Sequence, residues 1–199
     1  NGEWQKTAEV IVPLVMQVMA EAELRPDELD GVTVSAGPGS FTALRIGMSA
    51  AKGIAYGIGC PLVTVPTLLA LAEAACAYTD AVHIVPVVPS RPGEFFYAVY
   101  SRNSASGVLV ENENGRCMAA ELSLKLIALG EPFAIPARDP SGLIAHAPEL
   151  GGACLEATFF TASSLLKIAL PELSAGVSIA PGDAVPDYRQ IFVPLTKKQ

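Results

Sequence analysis

The sequence predicts an α/β protein built as two lobes, and three observations carry that expectation. Residues 7–77 alternate helical and strand-like apolar patterns joined by short connections, the mark of a parallel sheet covered by helices. Residues 83–111 switch to short strands of period-two alternation separated by turn residues, the mark of an antiparallel meander. The 199 residues are 51% apolar and only 17% charged, which excludes a disordered chain and supplies the core of one domain or two small lobes.

The first element is a helix over 7–23. Thr7 can cap it, and Val10, Ile11, Leu14, Val15, Val18 and Met19 recur at three- and four-residue spacing as a broad apolar face. Pro13 lies inside and is expected to bend the helix or delay its start. Arg25-Pro26-Asp27-Glu28 is a turn, and Val32 to Ala36 is a short buried strand. Gly37-Pro38-Gly39-Ser40 turns the chain tightly into a second helix over 41–56, capped by Ser40 or Thr42. Leu62 to Val65 is the next strand, and Pro66-Thr67 opens a third helix through Ala77.

The second half begins with a strand over 83–88. A turn at Arg91-Pro92-Gly93 leads into a strand over 95–100, then a third over 107–111 and a turn at 112–115. A helix over 119–129, a short strand over 133–135 and a helix over 161–170 follow, and the Pro-rich stretch 181–194 reads as extended. A meander followed by α/β units is how one RNase-H-like lobe is built. The expected organisation is a first lobe over 1–80 and a second over 81–199. The chain opens directly on the first helix, so the first lobe would match the second if a hairpin preceded residue 1.

Thirteen Lys and Arg face twenty Asp and Glu, a net charge of −7. Such a chain repels a phosphate backbone and is a poor lone binder of nucleic acid. The closing Lys197-Lys198 pair reads as a solvated tail. The four cysteines, at 60, 76, 117 and 154, form no CxxC pair and fit reduced thiols. His83 and His146 stand alone, as a strand-end and a loop histidine, with no metal-ligand spacing. Apolar runs all break short of a membrane span, and no basic leader or cleavage site is visible, so the expected location is cytoplasmic.

The densest signal is the run from Ala36 to Gly47. Its turn residues Gly37, Pro38, Gly39 and Ser40 stand between a strand and a helix N-terminus, followed by Phe41, Thr42 and Arg45. Backbone N–H groups there could hold an anion, although no Walker lysine follows and the spacing is not GxGxxG. The plain alternative is a tight strand-to-helix turn. Along the helix, Ala43, Gly47, Ala51 and Ala55 form a stripe of small residues, with Leu44, Met48 and Lys52 beside it. Small stripes admit close helix approach, either inside the lobe or between subunits, and the sequence leaves both open.

Gly37-Pro38-Gly39-Ser40-Phe41-Thr42, then Leu44-Arg45-Ile46-Gly47, then Ala51-Lys52-Gly53, resembles the signature of the TsaB (YeaZ) family. That family lies in the glycoprotease-like branch of the actin/Hsp70/sugar-kinase fold. Pro66-Thr67-Leu68, the Arg91-Gly93-Glu94 turn and Pro186-Asp187-Tyr188-Arg189 are further echoes. The resemblance implies a non-catalytic scaffold in the synthesis of N6-threonylcarbamoyladenosine at position 37 of ANN-decoding tRNAs. It implies the catalytic paralogue TsaD and the ATPase TsaE as partners, with tRNA bound only through the complex. The chain alone would bind no cofactor, ATP or ADP and Mg²⁺ entering only at the level of the complex. Helices of the first lobe would pair with TsaD or with a second copy. Val10, Ile11, Leu14, Val18, Ala43, Leu44, Gly47, Met48, Ala51 and Lys52 are the expected partner or dimer surface.

Departures stand beside it. The family's opening hairpin is absent here, Thr7-Ala8-Glu9 replaces a first-helix histidine, Ala43 replaces a glycine and Pro89 an aspartate. The HxxxH of the catalytic paralogue has no counterpart. The alternative is an enzyme of the same superfold, a nucleotide-dependent transferase or a metallopeptidase. It would need metal-binding carboxylates or a histidine pair, and a phosphate hairpin.

Overall fold

The computed structural model describes residues 3–103, 106–156 and 161–188, with side chains from residue 8 onward. Helix α1 covers Glu3–Glu21 and runs through Pro13 unbroken. Its stripe of Ile11, Val15 and Met19 turns inward, and Met19 is buried. Strand β1, Val32–Gly37, leads through the glycine-rich turn into α2, Phe41–Ile58. Ser40 occupies the N-cap position of α2, but its side chain makes no capping bond. Strand β2, Leu62–Pro66, lies parallel to β1, with Val32 opposite Leu62 and Ser35 opposite Val65. Helix α3 is Thr67–Ala75.

The strand expected over 83–88 is broken in two, β3 (His83–Ile84) and β4 (Val87–Arg91). Pro86 sits at the break and has no N–H to continue the ladder. Both pieces pair antiparallel with one side of β5, Glu94–Arg102. The β4–β5 turn is Pro92-Gly93, and Gly93 takes the positive φ of +73° that this reversal requires.

Strand β6, Leu109–Met118, lies on the other side of β5. The turn expected at 112–115 is therefore absent. Asn114 and Gly115 pair with Ala98 and Tyr97, and the register shifts by one residue at Asn112. Asn-Gly polarity mimics a turn here because β6 is an edge strand with exposed, charged residues. Then come α4 (Ala119–Ile127), β7 (Phe133–Ala137), α5 (Ser141–His146), β8 (Cys154–Glu156) and α6 (Ala162–Ser174). α5 and β8 escaped the sequence reading because both are short. His146 ends α5 rather than lying in a loop, while His83 is buried beside Glu131 at 2.8 Å.

Strand order in the second sheet is β4-β5-β3-β7-β8, with β6 on β5's far side. Its core gathers Val85, Phe95, Tyr97, Leu122, Ile135, Leu143 and Leu150 under α4 and α5. Helix α3 lies on the opposite face, where Leu68, Ala72 and Ala75 meet Ile84, Ala98 and Tyr100.

The boundary expected at residue 80 does not divide the packing. Helix α6 comes from the second half yet packs on the first sheet: Ala169 is fully buried against Val63, Val65 and Ala70. The segment that follows continues along the same sheet. Ile179 forms a bridge to Leu62, and Ala184 is buried with Met48, Ala55 and Leu62. Two strands alone leave much apolar surface uncovered, and α6 and this segment cover it.

Candidate functional site

The run from Ala36 to Gly47 is placed by β1 and α2, and its partners are the chain's own C-terminal segment. The Asp187 N–H donates to the Ala36 carbonyl at 2.7 Å. Gly37 has φ +112°, and a Cβ there would collide with the Asp187 carbonyl oxygen. One turn into α2, the Arg45 guanidinium lies 3.9 Å from the Phe41 ring centroid and 5.7 Å from that of Tyr188. Arg45 Nε also donates to Tyr188 Oη at 3.0 Å, and the two rings are 5.0 Å apart. Two turns further, Lys52 Nζ donates to the carbonyls of Gly182 at 3.0 Å and Ala184 at 2.8 Å. Arg189 lies outside the described residues, as do the rest of the expected extended stretch and the Lys197-Lys198 pair.

These contacts redistribute the expected partner surface. Leu44, Met48 and Ala51 are buried within the lobe, Met48 and Ala51 against Leu62 and Ala184. Lys52 is committed to the C-terminal segment. A Cβ on Gly47 would meet Val34 of β1 at 4.0 Å, and Ala43 lines a cavity of about 570 Å³ between β1, α2 and β4. All six expected α2 positions thus face their own lobe. The small-residue stripe serves close packing of α2 on its sheet.

The α1 positions fall differently. Val10, Leu14 and Val18 are exposed, at 44%, 52% and 62%, along one flank of the helix. Val12 and Met16 are exposed along the other. The Ile11-Val15-Met19 stripe between them is the least exposed part of the helix, and it lines the space facing α2 together with Val12 and Met16. Two grooves run between the helices, of about 440 and 200 Å³. Ile46, Ala50, Ile54 and Gly57 line them from α2. The sequence reading missed these four. Their signal was legible as a second apolar stripe at four- and three-residue steps, but α2 is apolar on several faces, and periodicity alone does not say which meets the sheet.

Among the described residues no group of three His, Cys, Asp or Glu side chains is placed to hold a metal ion. No described helix is long and apolar enough to cross a membrane. All four cysteines are free thiols. Burial pushes the Cys117 thiol up to about 11.

A two-lobed actin-like α/β fold whose first helix exposes apolar flanks defines the class. A family model described as "TsaD: tRNA N6-adenosine threonylcarbamoyltransferase" matches residues 5–117. The tRNA threonylcarbamoyladenosine biosynthesis protein TsaB of Escherichia coli (strain K12) is 31% identical over 93 residues, 47% of this chain and 40% of that protein. The TsaB protein of Haemophilus influenzae is 31% identical over 88 residues, 44% of this chain and 37% of its own length. The solved structure of YeaZ from Pseudomonas aeruginosa superposes with a TM-score of 0.77 at 21% identity, covering 92% of this chain and 84% of that one. The chain belongs to the TsaB (YeaZ) branch of the family that this model describes. The matched region spans about 40% of the length of these curated relatives.

Proposed function

We propose that the protein is a non-catalytic scaffold subunit in the synthesis of N6-threonylcarbamoyladenosine at position 37 of ANN-decoding tRNAs. It acts in the cytoplasm with a TsaD-like paralogue and a TsaE-like ATPase. It meets tRNA only through that complex, and forms a homodimer when alone. Nucleotide and Mg²⁺ enter with the partners.

One observation carries the reading. α1 contacts the lobe through a single stripe and leaves apolar side chains exposed on both flanks, with grooves open beside them. A helix that is apolar on more faces than it buries is built to meet another surface. The family membership and the net charge of −7 support a protein partner over a nucleic acid as the first contact.

The test is reconstitution. The protein should copurify with a TsaD-like paralogue, and tRNA modification by the assembled proteins should depend on it. Alone it should neither modify tRNA nor hydrolyse ATP. Mg²⁺-dependent ATP hydrolysis by the isolated chain would favour an enzyme of the same superfold, a nucleotide-dependent transferase or metallopeptidase.

A further inference from the structure

Residues of β1, α2 and α3 face residues of β4 and β5 across the cavity of about 570 Å³ that Ala43 lines. That is the volume of a small-molecule site. Its apolar walls include Leu71, Val87 and Phe96, each at most 2% exposed, so packed core residues hold its shape. Its side-chain hydrogen bonds can be counted. The Ser35 and Thr67 hydroxyls bond each other, which spends one hydrogen of the two and leaves one donor over. Ser90 Oγ donates to Glu94 at 3.1 Å. Arg138, just past β7, is the one charged side chain among the described residues of the lining. No described carboxylate forms an ion pair with it.

We propose that this cavity binds a small monocarboxylate with a flat apolar body. The unspent side-chain groups are donors, an unpaired guanidinium and one hydroxyl hydrogen, so the complement is an anion that only accepts. A guanidinium fork matches a carboxylate in shape and charge. One cation balances one negative charge, and the remaining wall is apolar, with the rings of Phe41 and Phe96 in it to receive a flat body. The spare hydrogen of the Ser35-Thr67 pair offers a second contact to an acceptor on the ligand. A magnesium nucleotide fits poorly. The lining supplies no Asp or Glu to hold the metal, and a string of phosphates would meet a single cation on a chain of net charge −7. The site uses no residue of the exposed α1 flanks, so it is independent of the scaffold reading.

Calorimetric titration of the full chain with 1-naphthoate and with the uncharged 1-naphthamide tests this. Naphthoate should bind one to one, and naphthamide, with the same rings and no charge, about tenfold more weakly. Arg138→Met, at an exposed position where the fold should survive, should weaken naphthoate about tenfold and leave naphthamide unchanged. Ala43→Leu, which fills the cavity from α2, should abolish binding of both, with a thermal melt to show that the variant is folded. Leu14→Asp, on the exposed flank of α1, should bind like the parent and so separates this cavity from the α1–α2 grooves. If Ala43→Leu does not fold, the Arg138→Met comparison decides alone. No binding of naphthoate by the parent, equal affinity for the two probes, or Arg138→Met binding naphthoate as the parent does overturns the proposal. So does displacement of naphthoate by ATP with Mg²⁺ at comparable concentration, which would make this a nucleotide site.

Discussion

Gly37 is held to glycine twice over, by a left-handed φ of +112° and by the Asp187 carbonyl that a Cβ would strike. Gly37→Ala should therefore cost about 1–3 kcal/mol and loosen residues 182–188, seen as a lower melting midpoint with faster amide exchange in that segment. The sequence marked this glycine as part of a sharp turn, but not the backbone 150 residues away that crowds it. Tyr97 is a second case. It is buried and donates a hydrogen bond to Glu113, which also accepts from Lys125. Burial first, then the Glu113 bond and charge, push the phenol from 10 up to about 12. The fold thus favours the neutral phenol. Its contribution is complete below pH 10 and is lost as pH rises from 10 toward 12. Cys117, raised from 9.0 to about 11, adds a loss that begins earlier. Stability should fall progressively above pH 9 in alkaline melts. Tyr97→Phe should cost about 1 kcal/mol at neutral pH and flatten the part of that fall above pH 10. An alkaline limb as steep as the parent's would remove Tyr97 from the account.

At the scale of elements, the two helices of the first lobe do different work with similar composition. α2 is apolar on all but one narrow face and is buried on its sheet, bonded through Arg45 and Lys52 to residues 182–188 and covered in part by α1. α1 buries one stripe and exposes two flanks. Substitutions should separate these roles. Ala51→Leu puts bulk where Ala51 packs beside Leu62 and Ala184, and overpacking should cost about 1–3 kcal/mol in thermal melts while association stays as in the parent. Leu14→Asp, at a side chain 52% exposed, should leave the melt nearly unchanged and weaken self-association about tenfold or more in sedimentation. A reversed pattern would return the small-residue stripe to the interface. Periodicity located both helices to within a few residues, because spacing of three and four is intrinsic to α structure. It did not orient α2, since nothing in a helix with several apolar stripes ranks one above another. The error at 112–115 has a related origin: Asn and Gly also suit an exposed edge strand whose ladder shifts by one residue.

For the whole molecule, the wiring matters more than the count of lobes. Residues 162–188 return from the second half to complete the first, so the two sheets share α3 between them and depend on both ends of the described chain. A fragment ending after residue 80 should consequently fail to fold, because β1 and β2 would lose the cover of α6 and Ala184 together. Circular dichroism of that fragment, beside the full chain, checks this. A cooperatively melting fragment would restore residue 80 as a true boundary.

The sequence by itself determined the alternation of helices and strands, the change from parallel units to an antiparallel meander, and the strand–turn–helix signature with the family it marks. All of these rest on local chemistry: apolar spacing, backbone freedom at glycine and the lost donor at proline. Tertiary structure alone decided which face of α2 meets the sheet, that α6 belongs with the first lobe, and that Arg45, Lys52 and Gly37 receive the chain's own C-terminal segment. Those outcomes depend on surfaces brought together across more than a hundred residues, where burial of what the two short strands leave exposed, and not any local preference, selects the partner.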